Sequence, residues 1–180
     1  MTINTPVILW FRNDLRLADH SAVLAAVETG QPVLPVYVLD DFAAGRWGMG
    51  GASRWWLHHS LDALHRSLVE RGSHLTLRRG DGVRIITELA EQTGASDAFT
   101  GGSAEPWTRR VDQATAEGLR GAKLHRMRTM TLFHPDSVRN KGGGAYTVYT
   151  PFANACLALG GPRGYGGGAA GHPVLRRAAI

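Results

Sequence analysis

Val7-Ile8-Leu9-Trp10-Phe11-Arg12-Asn13-Asp14-Leu15-Arg16-Leu17 is the stretch that decides the fold. An unbroken apolar run, Val7 to Phe11, stops at a block of charge. Such a run is the pattern of a parallel strand buried on both faces. In open α/β sheets, ligands sit outside the carboxyl ends of these strands. Arg12, Asn13, Asp14 and Arg16 therefore stand at a candidate working edge. The plainer reading is a loop in which Asp14 pairs with Arg12 or Arg16 only to hold itself.

The same grammar continues along the chain. Asp19 is placed to cap a helix over His20–Val27, ended by Gly30. Val33–Leu39 is a second apolar strand, closed by Asp40-Asp41. Pro35 within it lacks a ladder N–H, so it demands a bulge or an edge position. Ala52–Arg71 is the strongest helix, because Leu57, Leu61, Leu64 and Leu68 repeat on one face. A short third strand at His74–Leu77 ends at Arg78-Arg79-Gly80-Asp81. Helices over Val83–Gln92 and Glu105–Leu119 alternate with strands at Ser96–Thr100 and Lys123–Met127. Pro106 suits the first turn of its helix. Alternating strands and helices predict an α/β fold: a doubly wound, Rossmann-like, five-stranded parallel sheet with helices on both faces. The strand ends at Arg12, Asp40, Arg78 and Thr100 then share one edge.

After residue 130 the alternation breaks. Phe133-His134-Pro135 reads as extended, Lys141–Gly144 as a flexible turn and Tyr146–Tyr149 as β-like. Thr150-Pro151 can cap a helix running to Leu159. The expected organisation is a domain over 1–130, a connector with the start of a helix over 131–158, and a glycine-rich tail over 159–180. Residues 160–171 contain seven glycines. Disorder or a linker is the physical expectation for such a composition.

Length and composition narrow the function classes. A chain of 180 residues with 43% hydrophobic content supports one packed domain. A single cysteine, Cys156, excludes an internal disulfide and points to a reducing, cytoplasmic setting. No apolar run approaches the ~18 residues of a membrane helix, and no secretory leader is evident. The net charge of +5 is uneven: residues 1–120 carry −2 and residues 121–180 carry +7. The basic last third is a candidate nucleic-acid contact, or equally a solvated tail.

Other local signals are weak. Gly48-Met49-Gly50-Gly51-Ala52-Ser53 precedes a helix, as phosphate-cradling loops do. It lies nine residues beyond the strand and lacks the Lys-Ser/Thr of a P-loop, which favours a mobile loop. Arg54, just behind it, can reach an acidic or aromatic ligand or a neighbouring Asp. His58 and His59 point to different sides of their helix, and His74, His125 and His134 have no metal-ligand spacing. Cys156 reads as a small core residue. Glu105 opens a helix at the rim shared with Arg12. Its carboxylate suits a helix N-terminus for stability alone, and a ligand role remains open.

Taken together, these stretches resemble the DNA photolyase and cryptochrome family. Trp10–Arg16 looks like its N-terminal signature, Val33–Asp40 its second strand, and Ala52–Leu61 its long helix. Arg78–Asp81, Glu105-Pro106-Trp107 and Tyr146–Phe152 follow in order and spacing. The resemblance spans about residues 6–158. It implies an α/β domain followed by a helical domain that binds FAD. The reduced, light-excited flavin passes an electron to a pyrimidine dimer in DNA. In many members the α/β domain holds an antenna pigment, namely a folate, a deazaflavin or a flavin. Arg12, Arg54 and Glu105 match antenna-contacting positions, and Leu39 and Asp40 close the same edge. No catalytic residue and no metal site are expected in this part. Thr100–Ala104 is shorter in polar side chains than the family pattern. After Phe152 the family runs on, whereas this chain turns into Gly, Ala, Pro and Arg, as a frameshifted or truncated gene would. The implied partner is the helical FAD domain; without it FAD is not expected to bind and repair is not expected. Weak, nonspecific DNA binding and self-association through bare apolar surface are the remaining expectations. The alternative is a stand-alone nucleotide-binding or basic DNA-interaction module without enzymatic activity.

Overall fold

The computed structural model describes residues 5–103 and 105–160. Five strands form one sheet: β1 (Val7–Phe11), β2 (Val33–Leu39), β3 (Thr76–Arg79), β4 (Asp97–Gly102) and β5 (Lys123–Arg128). Their order is β3-β2-β1-β4-β5, and every pairing is parallel. Order reverses at β1, the topological switch point of a doubly wound sheet. The strand ends at Arg12, Asp40, Arg78 and Thr100 accordingly lie toward one edge.

Alternation along β1 explains the two layers. Val7, Leu9 and Phe11 face a core with Ala22, Val23, Leu64 and Leu68. These come from α1 (Ser21–Glu28) and α2 (Gly51–Val69). Ile8 and Trp10 face the opposite core, with Ile85, Ile86 and Leu89 of α3 (Gly82–Thr93). Val111 of α4 (Pro106–Gly118) packs against the same side. The leucine repeat of α2 faces inward, with Leu64 and Leu68 buried and Leu57 and Leu61 half-covered.

Several local expectations are corrected. Asp19 does not cap α1. It adopts a left-handed φ of 49°, and His20 takes the cap, its Nδ1 accepting from the Val23 N–H at 3.3 Å. The expectation for Pro35 holds through its edge alternative: it pairs in plain register with Leu9 on one side, without a bulge. β3 pairs only with Val36–Leu39, so Pro35 lies beyond its reach and is locally at an edge. β3 itself starts two residues later than expected. The turn after α2, with Gly72 at φ 75° and Ser73 N–H bonded to Leu68 O, uses up the intervening residues. Arg78 and Arg79 thus lie in an edge strand, where charge protects exposed backbone.

Beyond β5, Tyr146–Tyr149 is not β-like. Tyr149 instead opens α5 (Tyr149–Ala158), whose cap position is Val148 with no side-chain cap, rather than Thr150. His134 is extended, but Pro135–Ser137 forms a 3-10 turn. The glycine turn is organised by Asn140, whose Oδ1 accepts from the N–H groups of Gly142 and Gly144. Residues 161–180, and with them nearly all the expected tail, lie outside the described residues. No described helix is long and apolar enough to cross a membrane.

Candidate functional site: the carboxyl edge of the sheet

Arg12 follows β1 directly and turns inward. Its Nη2 donates to Gly101 O at 2.8 Å and pairs with Asp112 Oδ1 of α4 at 2.7 Å. The guanidinium lies 4.8 Å from the Trp10 ring centre. Asp112 also meets Arg126 Nε of β5 at 2.7 Å, so one carboxylate ties β1, α4 and β5 together. Arg12 Nε and Nη1 and Trp10 Nε1 are buried with no partner among the described residues.

Asp14 pairs with neither the Arg12 nor the Arg16 side chain, contrary to the plain loop reading. Its carboxylate accepts from Thr129 Oγ1 at 2.6 Å and from the Arg12 backbone N–H at 3.2 Å, and faces His20 Nε2 at 3.0 Å. Because His20 Nδ1 accepts from Val23, the imidazole proton sits on Nε2, toward Asp14. Burial pushes the Asp14 carboxyl up. The hydrogen bond from His20, with the bonds from Thr129 and Arg12, outweighs it and holds the group well below the ordinary carboxylate range. Gly101 is bare because this carboxylate fills its place: a Cβ there would stand 1.8 Å from Asp14 Oδ2.

Asp40 has its oxygens bound to backbone. Oδ1 accepts from the Phe42 and Ala43 N–H groups at 2.9 Å each, and Oδ2 from the Gly82 N–H at 3.0 Å. It fixes the loop after β2 and the start of α3. Arg54 donates to Asp41 Oδ1 at 2.6 Å and to Met49 O at 3.1 Å, while Arg79 takes the other Asp41 oxygen at 3.0 Å. The Arg54 hydrogen bond, aided by Arg79, holds Asp41 below its usual range against partial desolvation. Burial first, then the nearby Asp41 charge, pushes the Tyr37 hydroxyl up to about 12. Glu105 occupies the cap position of α4 but makes no side-chain cap, and its Oε2 is buried without a partner among the described residues.

Arg12, Leu39 and Asp40 come together around a cavity of about 70 Å³, closed by Trp10, Met49 and Trp107. Arg54 and Glu105 do not line it. At ~30 Å³ per water this space holds about two waters, whereas pockets for drug-sized ligands run to ~300 Å³ and more. A folate, deazaflavin or flavin does not fit inside it. An open cleft of about 410 Å³ adjoins it, sharing Arg12, Asn13 and Met49 and walled by Ser53, Trp56 and Ser60. No described group of three or more His, Cys, Asp or Glu residues converges as a metal would need. His125 instead pairs with Asp97 at 2.6 Å and stacks on Phe99.

A larger groove, about 670 Å³, lies beyond β5. Leu132, Phe133 and Val138 line it on one side, Tyr149, Phe152 and Leu157 on the other. Cys156 lies half-buried in this groove rather than in the core.

A family model described as DNA photolyase matches residues 7–163. The deoxyribodipyrimidine photo-lyase of Agrobacterium fabrum is 44% identical over 158 residues, covering 86% of this chain and 32% of that protein. Cryptochrome-1 of Arabidopsis thaliana is 32% identical, covering 84% of this chain and 23% of its own length. The crystal structure of a bacterial class III photolyase from Agrobacterium tumefaciens superposes with a TM-score of 0.81 at 40% identity, over 98% of this chain and 36% of that one. The chain therefore spans about a third or less of the length of these relatives, their N-terminal α/β part. Fold, motif order and these matches agree: the chain belongs to the DNA photolyase family.

Proposed function

We propose that this chain serves as the α/β scaffold domain of a light-dependent pyrimidine-dimer photolyase or cryptochrome, and does no bond chemistry itself. The carrying observation is the apolar groove beyond β5, open among the described residues, in a chain that matches only about a third of a photolyase's length. A helical FAD domain is the partner proposed to cover it. Repair requires a buried flavin beside a pocket that takes the lesion out of the stack. The sheet edge supplies arginines, carboxylates and aromatic and apolar walls, and its inner cavity is too small to bury a flavin. A cytoplasmic location suits the single thiol.

The rim residues Arg12, Leu39, Asp40, Arg54 and Glu105 are proposed to serve an antenna pigment at most. A pigment would use the 410 Å³ cleft, because the inner cavity is too small; of the five residues only Arg12 lines that cleft, so the other four would serve only a pigment that reaches beyond it. Recruiting Arg54 would require its release from Asp41. If it is recruited, Arg54→Ala weakens pigment binding by about 1.5–3 kcal/mol, the worth of a charged hydrogen bond. Equal fluorescence titrations of wild type and variant with folate, deazaflavin and flavin would remove Arg54 from the site.

The decisive test supplies the purified chain with FAD, a reductant, light and dimer-containing DNA. No restored pyrimidines above a flavin-only control are expected, together with weak DNA binding that declines steeply with salt. Light-dependent repair by the chain alone would overturn the scaffold reading.

A further inference from the structure

Five side chains and two backbone carbonyls meet where the chain leaves the sheet. β5 ends at Arg128, and Thr129 behind it is buried. Thr129 Oγ1 donates to Asp14 Oδ2 at 2.6 Å, and His20 Nε2 stands 3.0 Å from the same oxygen. Arg16 Nη2 donates to Thr129 O at 2.6 Å, and Ser21 Oγ to Arg128 O at 2.8 Å. On the β4 side, a Cβ at Gly101 would stand 1.8 Å from Asp14 Oδ2 and 2.3 Å from Thr129 Oγ1, so the arrangement depends on that glycine. These contacts join residues about a hundred positions apart in the chain.

The cluster is not a nucleophile relay. The Thr129 hydroxyl donates to the carboxylate rather than to the imidazole, and the second His20 nitrogen accepts from the Val23 N–H. Asp14, His20 and Thr129 are each buried from solvent. What the cluster holds is the direction of the chain. Two residues past Thr129 begins the Thr131–His134 wall of the apolar groove, opposite α5.

We propose that Asp14 is a positioning residue: with His20 and Thr129 it latches the exit of β5 to the sheet, and so holds the 131–138 wall of the groove in place to receive a partner domain. The receiving role rests on the scaffold reading above, whereas the latch itself is a property of this chain.

Cys156, the sole cysteine, reports on the groove from within. The full chain is compared with Thr129→Val and Gly101→Ala, which disturb the latch from opposite sides. The measurements are the rate of Cys156 reaction with a thiol-exchange reagent and hydrogen exchange along the chain. Both variants are expected to raise the Cys156 rate by about 5–30-fold, the factor that corresponds to about 1–2 kcal/mol. Exchange should quicken over residues 129–138 and stay slow in β1, and in Thr129→Val in β4 as well. Thr129→Ser, which keeps the hydroxyl, should restore wild-type behaviour. An unchanged Cys156 rate in both variants would overturn the latch. So would a rise matched by equal acceleration in β1, since that is general destabilisation. Either result leaves the scaffold reading standing, because that reading is tested by the repair assay and by self-association, which neither of these measurements reads.

Discussion

The sheet and the segment beyond it are built from similar residues and treat them in opposite ways. In β1 every residue from Val7 to Phe11 is nearly inaccessible, covered by two helices on each face. Beyond β5, Leu132 is 68% exposed, Tyr149 79% and Leu157 75%. Scattered apolar residues on a surface need no explanation, but a contiguous apolar groove marks an interaction site or an aggregation hazard. The contrast teaches that residues 7–128 carry their own cover, whereas among the described residues nothing covers 131–158 in the same way. Experiments that remove apolar groups from each region should therefore give unlike results.

The largest effect belongs to the core. Leu68 is wholly buried between α2 and the sheet. Leu68→Ala should cost about 2–5 kcal/mol in urea unfolding, the sum of lost transfer energy and the cavity left behind. A loss under about 1 kcal/mol would mean that α2 is loosely seated and that the two regions differ less than their burial suggests.

Next comes Asp14, at the junction of the regions. Its folded carboxyl titrates below the ordinary range, whereas in the unfolded chain it titrates near ~3.9. Between those values the unfolded state binds the extra proton, so stability rises with pH. The contribution is fully present above the unfolded value and is lost as pH falls through the lower, folded one. Asp14→Asn should remove on the order of 1.5–3 kcal/mol near neutral pH, as expected for hydrogen bonds to a charged group. It should also flatten the acid limb of stability measured between pH 5 and pH 3. An acid limb identical to wild type would place the effect on other carboxylates, of which Asp97 and Asp41 are also held low by their partners.

Legibility in the sequence follows the range of the interactions. The strands and helices of residues 7–128 could be read because each declares itself through a local period or an abrupt charge. The leucines of α2 and the apolar runs of β1 and β2 are of this kind. Arg12, Leu39 and Asp40 could be placed at one rim because parallel topology brings strand ends together. What could not be read were the partners. Asp112 looks like any helical acid, yet it joins Arg12 and Arg126. Thr129 has no local motif, and its bond to Asp14 spans 115 positions. Gly101 read only as part of a stretch short in polar side chains, whereas its missing side chain is the room that Asp14 occupies. Tyr146–Tyr149 suggested a strand because aromatic and β-branched residues favour one. With no neighbouring strand to pair with, Tyr149 begins a helix instead.

The smallest effect on stability, and the sharpest use of the comparison, lies in the groove. Leu132 and Leu157 already spend most of their surface in water, so replacing both with Ser removes little buried area. Surface changes of this kind generally move stability by no more than about 0.5 kcal/mol. Self-association should respond much more strongly, because the groove is where apolar surface is contiguous. Light scattering at rising concentration should show wild type forming larger species while Leu132→Ser/Leu157→Ser stays monomeric. Urea unfolding of the two should nearly coincide. A wild-type chain that remains monomeric at high concentration would remove the case for an uncovered docking face. A double variant that loses several kcal/mol would show that these leucines pack onto the domain itself. In that event the groove would be part of the fold rather than its open side.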